Sequence, residues 1–96
     1  PLWASDRQRQ PPILQVHQSA IRQSQNQFYV PVAVTNAGGK TAESVQVVAV
    51  LHIDGVRVES GEQTLALLYS QETASGAFVF TRNPQDGNLV IRVASY

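Results

Sequence analysis

The sequence predicts an all-β fold, an antiparallel sandwich of two sheets with six to seven strands. Apolar side chains recur at every second position in the main apolar stretches, which is the period of a strand with one face on a core. Residues typical of turns separate these stretches at intervals of about 8 to 14 residues, and no stretch has the period of an amphipathic helix. A small barrel is the alternative arrangement of the same strands.

The composition describes one domain with no dominant charge. The 96 residues include seven basic and seven acidic side chains. Because phosphate binding depends on clustered Lys and Arg, this balance gives no reason to expect a nucleic acid partner. The chain contains no cysteine, which excludes disulfides, thiolate metal sites and a thiol nucleophile.

Residues 1–11 are predicted to be a linker or membrane tether, and residues 12–96 the β-domain. Pro11 and Pro12 favour extended backbone over helix. Leu2 and Trp3 are apolar in an otherwise polar segment, and Trp is enriched where a membrane span meets the headgroup layer. We therefore expect a span of about 20 apolar residues before Pro1. The alternative is that Trp3 folds back onto the sandwich.

The first two strands are predicted over Ile13–His17 and Phe28–Asn36, with a turn or a ragged strand end at Gln23–Gln27 between them. The second strand contains Pro31, which cannot donate to a β-ladder. Its backbone nitrogen must therefore face solvent, a bulge or an unpaired gap.

The third strand is predicted over Thr41–Ile53 and is expected to be the longest. The segment Asn36-Ala-Gly-Gly before it contains residues that tolerate positive φ, which a tight reversal between two strands requires. Asp54-Gly55 after it predicts a two-residue type I′ hairpin. The side chains expected to face the core are Val45, Val47, Ala49, Leu51 and Ile53.

The remaining elements follow from the same patterns. Val56–Glu59 is predicted to return as a short strand, and Ser60–Tyr69 to be a crossover. Strands are predicted over Gln71–Thr81 and Leu89–Ala94, and Asn83–Asn88 has the composition of a turn.

Two segments resemble known domains. The pattern Val-x-Val-x-Asn-x-Gly-Gly-x-x-Ala-x-x-Val-x-Val-x-x-x-Leu, Val32–Leu51, resembles immunoglobulin-like domains of bacterial surface proteins, including the cell-adhesion-related modules. Leu67–Phe80 is similar to their leucine-turn-strand segment, with Ser70 and Gln71 in place of the usual Pro-Gly. The resemblance implies an immunoglobulin-like sandwich and no catalytic residue. In those modules a further strand usually follows the one corresponding to Leu89–Ala94.

Taken over residues 11–96, the chain resembles more narrowly a family of small bacterial proteins, common in cyanobacteria, with one N-terminal membrane span. Members are often encoded beside a multi-span membrane protein. The resemblance implies a membrane-anchored domain on the extracytoplasmic, periplasmic side, with a protein partner that could be such a membrane protein, and a homo-oligomer is possible.

A contact surface is predicted on the second face of the third strand. Val48 and Val50 lie there in place of polar residues, and Val56 or Val58 could extend the strip across the hairpin. Exposed apolar strips often mark contact sites. The alternative is that residues 1–10 or the Leu65–Leu68 crossover cover them.

Other candidate sites are weaker. Gly39-Lys40-Thr41 suggests a phosphate loop, but an alternating strand follows where the mechanism needs a helix N-terminus. His17 and His52 lack further ligands at metal-binding spacing. Asn83, Asp86 and Asn88 do not have the spacing of an EF-hand. We predict no metal and no cofactor.

The expected function is a non-enzymatic protein-interaction or structural domain. The acidic side chains lie in predicted turns or on polar faces, and a small sandwich offers little cleft for a catalytic pair. The alternative function is a carbohydrate-binding adhesion module, since Trp3, Phe28 and Tyr29 could form an aromatic platform. Alternation argues against it, because it places Phe28 in the core and Tyr29 on the opposite face.

Overall fold

The computed structural model describes residues 11–96, and these form seven strands in two antiparallel sheets. The predicted all-β sandwich is thereby confirmed. A single 3-10 helical turn, Pro84–Asp86, lies between the last two strands. The strands are β1 (Leu14–Gln18), β2 (Arg22–Ser24), β3 (Gln27–Asn36), β4 (Ala42–Ile53), β5 (Val56–Leu68), β6 (Thr73–Phe80) and β7 (Asn88–Ser95).

The two sheets have three and four strands. In sheet A, β3 is central, with β6 on one side and β1 and β2 sharing the other. In sheet B the order is β5-β4-β7. The neighbours β3–β6 and β4–β7 correspond to the B–E and C–F pairs of the immunoglobulin fold.

The link between β3 and β4 differs from the prediction. These strands lie in different sheets, so Asn36–Gly39 crosses between sheets and is not a hairpin turn. Neither Gly38 nor Gly39 has a positive φ. Gly38 is needed for space instead, because a Cβ there would overlap the carbonyl oxygen of Pro11 and lie 2.6 Å from the backbone nitrogen of Ile13.

The core lies between the sheets, and the inner face of β4 is at its centre. The predicted alternation is confirmed from Val45 to Leu51, where every second side chain is buried. Ile53 is half-buried and packs against the core at the hairpin end. The opposing layer and the end of β5 contribute Val30, Val32, Val34, Phe78, Phe80 and Leu68.

Pro31 lies in the central strand of sheet A, at a gap between its neighbours. The Pro31 carbonyl accepts a hydrogen bond from the Ser19 nitrogen at 3.0 Å, where the chain passes from β1 to β2. In an antiparallel strand the nitrogen and carbonyl of one residue point to the same side. The missing N–H therefore faces this break, as the sequence required.

Two hairpins have the backbone of type I′ turns. Asp54 and Gly55 have φ of 52° and 78°, which confirms the predicted β4–β5 turn. Gln25 and Asn26, with φ of 52° and 64°, form a second such turn between β2 and β3. Of the two alternatives predicted for Gln23–Gln27, the turn is therefore correct and the ragged strand end is wrong.

The predicted crossover at Ser60–Tyr69 is wrong. β5 runs without a break for 13 residues and pairs with β4 along its length, so it is longer than the 12-residue β4. Leu51 pairs with Glu59 and the next residue, His52, pairs with Arg57, so Val58 is an extra residue that forms a bulge.

In the described part of the chain, no helix is long and apolar enough to span a membrane.

Candidate functional site

The outer face of sheet B carries an apolar strip. Val48 and Val50 point away from the core and are half-buried within the sheet. The register extends the strip to β7, where Val90 lies beside Val50 and is 41% exposed. We call Val48, Val50 and Val90 the outer strip. Two opposite charges flank it, because Val48 lies between Glu62 of β5 and Arg92 of β7.

The two further valines of the predicted surface do not join the outer strip. Val56 is 61% exposed at the hairpin end, opposite Ile53 and therefore on the inner side of the sheet. Val58 is the bulge residue and packs against the core. The sequence did not indicate Val90, because only the β4–β7 register places it beside Val50.

The Leu65–Leu68 segment does not cover the outer strip. It belongs to β5, where Leu65 lies opposite Val45 in the plane of the sheet and Leu68 is fully buried. The other proposed cover, residues 1–10, lies outside the described residues.

The candidate ligand residues are dispersed. His17 lies in sheet A and His52 in sheet B. Within residues 11–96, no group of three His, Asp, Glu or Cys side chains is arranged to hold a metal ion.

The suggested phosphate loop, Gly39-Lys40-Thr41, leads directly into strand β4, so this loop lacks the helix N-terminus that phosphate binding needs. Asn83 caps the 3-10 turn by accepting a hydrogen bond from the Gln85 nitrogen at 3.0 Å.

Of the predicted aromatic platform, Phe28 and Tyr29 lie on opposite faces of sheet A. Phe28 packs against the core, whereas Tyr29 lies on the outer face of sheet A and donates a 3.1 Å hydrogen bond to Gln27 Oε1. Trp3 lies outside the described residues. Tyr69, which is 57% exposed, belongs to the β5–β6 turn.

Asn36 joins four segments at one end of the sandwich. Its side chain is completely buried. Oδ1 accepts hydrogen bonds from the backbone nitrogens of Ile13, at 3.3 Å, and Gly38, at 3.0 Å. Nδ2 donates to the carbonyls of Lys40, at 2.7 Å, and Leu68, at 3.1 Å. The full hydrogen-bonding capacity of the buried amide is thus used.

The β5–β6 turn docks on the same junction. The Gln71 nitrogen donates to the Asn36 carbonyl at 2.7 Å, and the Ser70 hydroxyl donates to the Gly38 carbonyl at 2.6 Å. Gln71 has a φ of 66°, the left-handed conformation that favours glycine. Its side-chain amide contacts the Ala37 and Gly38 carbonyls at 3.2 and 3.3 Å, which stabilises the turn without glycine.

Glu59 links the edges of the two sheets. It lies opposite Leu51 on β5 and accepts hydrogen bonds from the backbone nitrogens of Thr81 and Arg82, the latter at 2.6 Å, and from the Thr81 hydroxyl at 3.0 Å. Burial raises the pKa of this carboxyl. The backbone and hydroxyl hydrogen bonds, together with the nearby Arg82 charge, lower it by more, so the pKa of Glu59 lies below its usual value.

Because the pKa of Glu59 is lowered in the folded protein, we expect the domain to lose stability in acid. Because the folded-state pKa is below the unfolded value of about 4.3, the contribution of Glu59 is complete above that value and disappears as the pH falls through the folded-state pKa. We expect Glu59→Gln to lower the urea midpoint at pH 7 and to reduce the difference between pH 7 and acid. Glu62→Gln, on the outer face of the same strand, is the control. Equal pH profiles for wild type and Glu59→Gln would contradict this role.

A small cavity lies between the sheets near the β5 and β6 edges. Its volume is about 20 Å³, enough for about one water molecule. Apolar side chains and two polar groups, Gln63 and Ser75, form its walls. A space of this size does not admit an organic substrate.

Comparisons with protein-family models, curated proteins and solved structures returned no match for this chain.

Proposed function

We propose that this chain is a non-enzymatic protein-interaction or structural domain of a membrane-anchored bacterial protein, held on the extracytoplasmic side. The outer strip carries the proposal. It is an apolar row on the outer side of a sheet whose opposite face already forms the core. A partner that binds this row would leave the core intact.

The chemistry of the outer strip suits a protein partner. Protein interfaces combine a packed apolar centre with a polar rim. Val48 and Val50 supply the centre, and Glu62 and Arg92 supply charges of both signs beside it. A protein surface with an apolar ridge and complementary charges fits this arrangement, and a multi-span membrane protein is the partner that the family resemblance suggests.

The membrane tether rests on the sequence. Leu2 and Trp3 belong to residues 1–10, outside the described residues. Pro11 and Pro12 then precede β1, so the tether would join the sandwich at the Asn36 junction, where Ile13 is bonded. The outer strip would face sideways from this attachment, toward proteins in the same membrane.

The double variant Val48→Thr/Val50→Thr tests the interaction. Threonine keeps the β-branched shape and adds hydroxyls, so the sandwich should fold while the apolar centre is lost. We expect cross-linking of the tethered protein to its membrane partner to fall about fivefold or more. Val79→Thr, at a 49% exposed site on the outer face of sheet A, is the matched control. Unchanged cross-linking by the double variant would refute this surface.

A further inference from the structure

The outer face of sheet B carries two opposite charges at the same level along the strands. Glu62 on β5 and Arg92 on β7 both lie opposite Val48, one on each side of β4. Neighbouring strands are about 4.8 Å apart, so the backbones of the two charged residues are about 10 Å apart. Both side chains are exposed. The acidic and the basic side chain therefore lie at equal distances from the central strand.

This arrangement is self-complementary about an axis that runs along β4. Rotation by 180° about such an axis exchanges the β5 side of the face with the β7 side and leaves the level along the strands unchanged. Glu62 of one copy then faces Arg92 of the second copy, and the reverse pair forms by symmetry. Val48 and Val50 lie on the axis and pack against their own counterparts.

A two-fold axis that runs across the strands does not give this match. It places β5 over β5 and β7 over β7 of the second copy, so Glu62 lies on the same side as Glu62, and Arg92 on the same side as Arg92. Like charges that face each other across an interface oppose association. Of the two axes in the plane of the interface, only the one along β4 pairs opposite charges.

The entry point of the chain selects the same axis. The Ile13 nitrogen is bonded to Asn36, at the end of the sandwich where β4 begins. Rotation about β4 keeps this end of both copies on the same side, so the two tethers of the proposed function lead to one membrane. An axis across the strands would direct them to opposite sides.

We propose that the outer strip is the interface of a homodimer, in which two copies pack the outer faces of sheet B across a two-fold axis along β4. The inference rests on the proposed function, because it names a second copy of this chain as the protein that binds the outer strip. The charge complementarity and the common direction of the tethers argue for this occupant. A strand that paired with the edge of β7 would widen sheet B and leave its outer face open, so the dimer does not depend on that edge.

The dimer is expected to be weak in solution. The face is three strands, or about 14 Å, wide. It therefore buries less than the roughly 800 Å² per partner of a standard interface. We expect a dissociation constant of about 10 μM to 1 mM for the purified chain, and tethering to one membrane raises the effective concentration. Sedimentation velocity of the 96-residue chain over a concentration series measures the dissociation constant.

Charge reversals test the pairing. Glu62→Arg places an arginine opposite Arg92 at two symmetric positions, and Arg92→Glu places a glutamate opposite Glu62 at two. Each single variant should weaken association about tenfold or more. An equimolar mixture of the two variants should associate within about threefold of wild type, because each charge then faces an opposite one. These differences should shrink at high salt.

Lys40→Glu is the matched control. Lys40 is exposed in the link between β3 and β4, outside the strands that form the face, and its charge change equals that of Arg92→Glu. This variant should leave the dissociation constant unchanged. Because Glu62 and Arg92 are exposed, their variants should also fold, and thermal unfolding of each variant verifies this.

Three outcomes would overturn the proposal. The first is a monomer at all concentrations up to about 1 mM. If deletion of residues 1–10 then produced a dimer, that segment would be the occupant of the face. The second is a dimer that Glu62→Arg and Arg92→Glu leave unchanged. The third is a mixture of these variants that associates no better than either variant alone.

The dimer and the proposed function fail separately. A monomeric chain in which Val48→Thr/Val50→Thr still loses its cross-link to a membrane partner would refute the dimer and retain the proposed function. A dimer with the expected response to charge reversal, together with an unchanged cross-link in the double variant, would support the dimer and refute the membrane partner at this surface.

Discussion

Replacement of Asn36 with alanine is expected to lower the free energy of unfolding by about 3 to 5 kcal/mol, the largest loss from a polar side chain in this domain. The substitution removes four hydrogen bonds from a side chain with no exposure. It leaves four backbone groups without their side-chain partner: the nitrogens of Ile13 and Gly38, and the carbonyls of Lys40 and Leu68. Urea unfolding at pH 7 measures the loss.

Asn36→Asp gives a sharper signature, because it keeps the shape and changes the hydrogen-bond polarity. An ionised carboxylate would face the carbonyls of Lys40 and Leu68, which Nδ2 now contacts. Burial and these carbonyls raise the pKa of the introduced carboxyl, whereas the two N–H groups that donate to Oδ1 lower it. Because the site is completely buried, we expect the net pKa to lie above the unfolded value of about 3.9. The variant should therefore lose stability as the pH rises through that range and recover it in acid.

Asn83→Ala is the matched control. Asn83 accepts one bond in a turn, from the Gln85 nitrogen, and its loss should cost about 1 kcal/mol. Similar losses for Asn36→Ala and Asn83→Ala would show that the junction adds little beyond a single cap.

The sequence predicted β4 and its inner face well because every inner position there is apolar, whereas the outer row also contains Gln46 and His52. The inner row, from Val45 to Leu51, is apolar and lies at the centre of the sandwich. The Asp54-Gly55 hairpin was equally clear, since both positions need positive φ and both residues tolerate it. Local pattern and tertiary environment agree over this stretch.

The sequence did not reveal the middle of β5, because the inner positions there are not apolar. Gly61 lies under the ring of Phe78, and a Cβ at this position would be 2.9 Å from Phe78 Cδ1. Gln63 uses its amide to bind the Ala77 carbonyl. Gly61 and Gln63 occupy inward positions where apolar side chains would normally alternate. The sequence of this part of β5 therefore resembles that of a loop, although the strand is regular.

The role of Asn36 and the sheet assignment of β3 and β4 depend on distant residues. Asn-Ala-Gly-Gly is compatible with either a hairpin or a crossing between sheets. The crossing is fixed by contacts with Ile13 and Leu68, which lie 23 and 32 residues away. Of the candidate contact surface, Val48 and Val50 followed from alternation, whereas Val58 was misplaced because the bulge changes its face.

Leu51→Ala is expected to lower the free energy of unfolding by about 2 to 5 kcal/mol, the range for a buried leucine with its residual cavity. Leu51 has no exposed surface and lies between Glu59 on β5 and Leu89 on β7. Removal of its side chain leaves a void in the core beside β4. Because β4 is paired on both sides, with β5 and β7, the surrounding structure can close this void only in part. Denaturant unfolding with an unchanged slope would attribute the loss to the native state.

Two neighbouring valines supply the matched comparison on the same strand. Val47→Ala removes two methyl groups from the core, where the side chain is 3% exposed, and Val48→Ala removes the same groups from the outer strip. We expect the inner variant to lose clearly more stability and the outer variant to lose less than about 1 kcal/mol. Equal losses from both would mean that the outer strip is covered within the same chain. That result would also remove the outer strip as a surface for a partner.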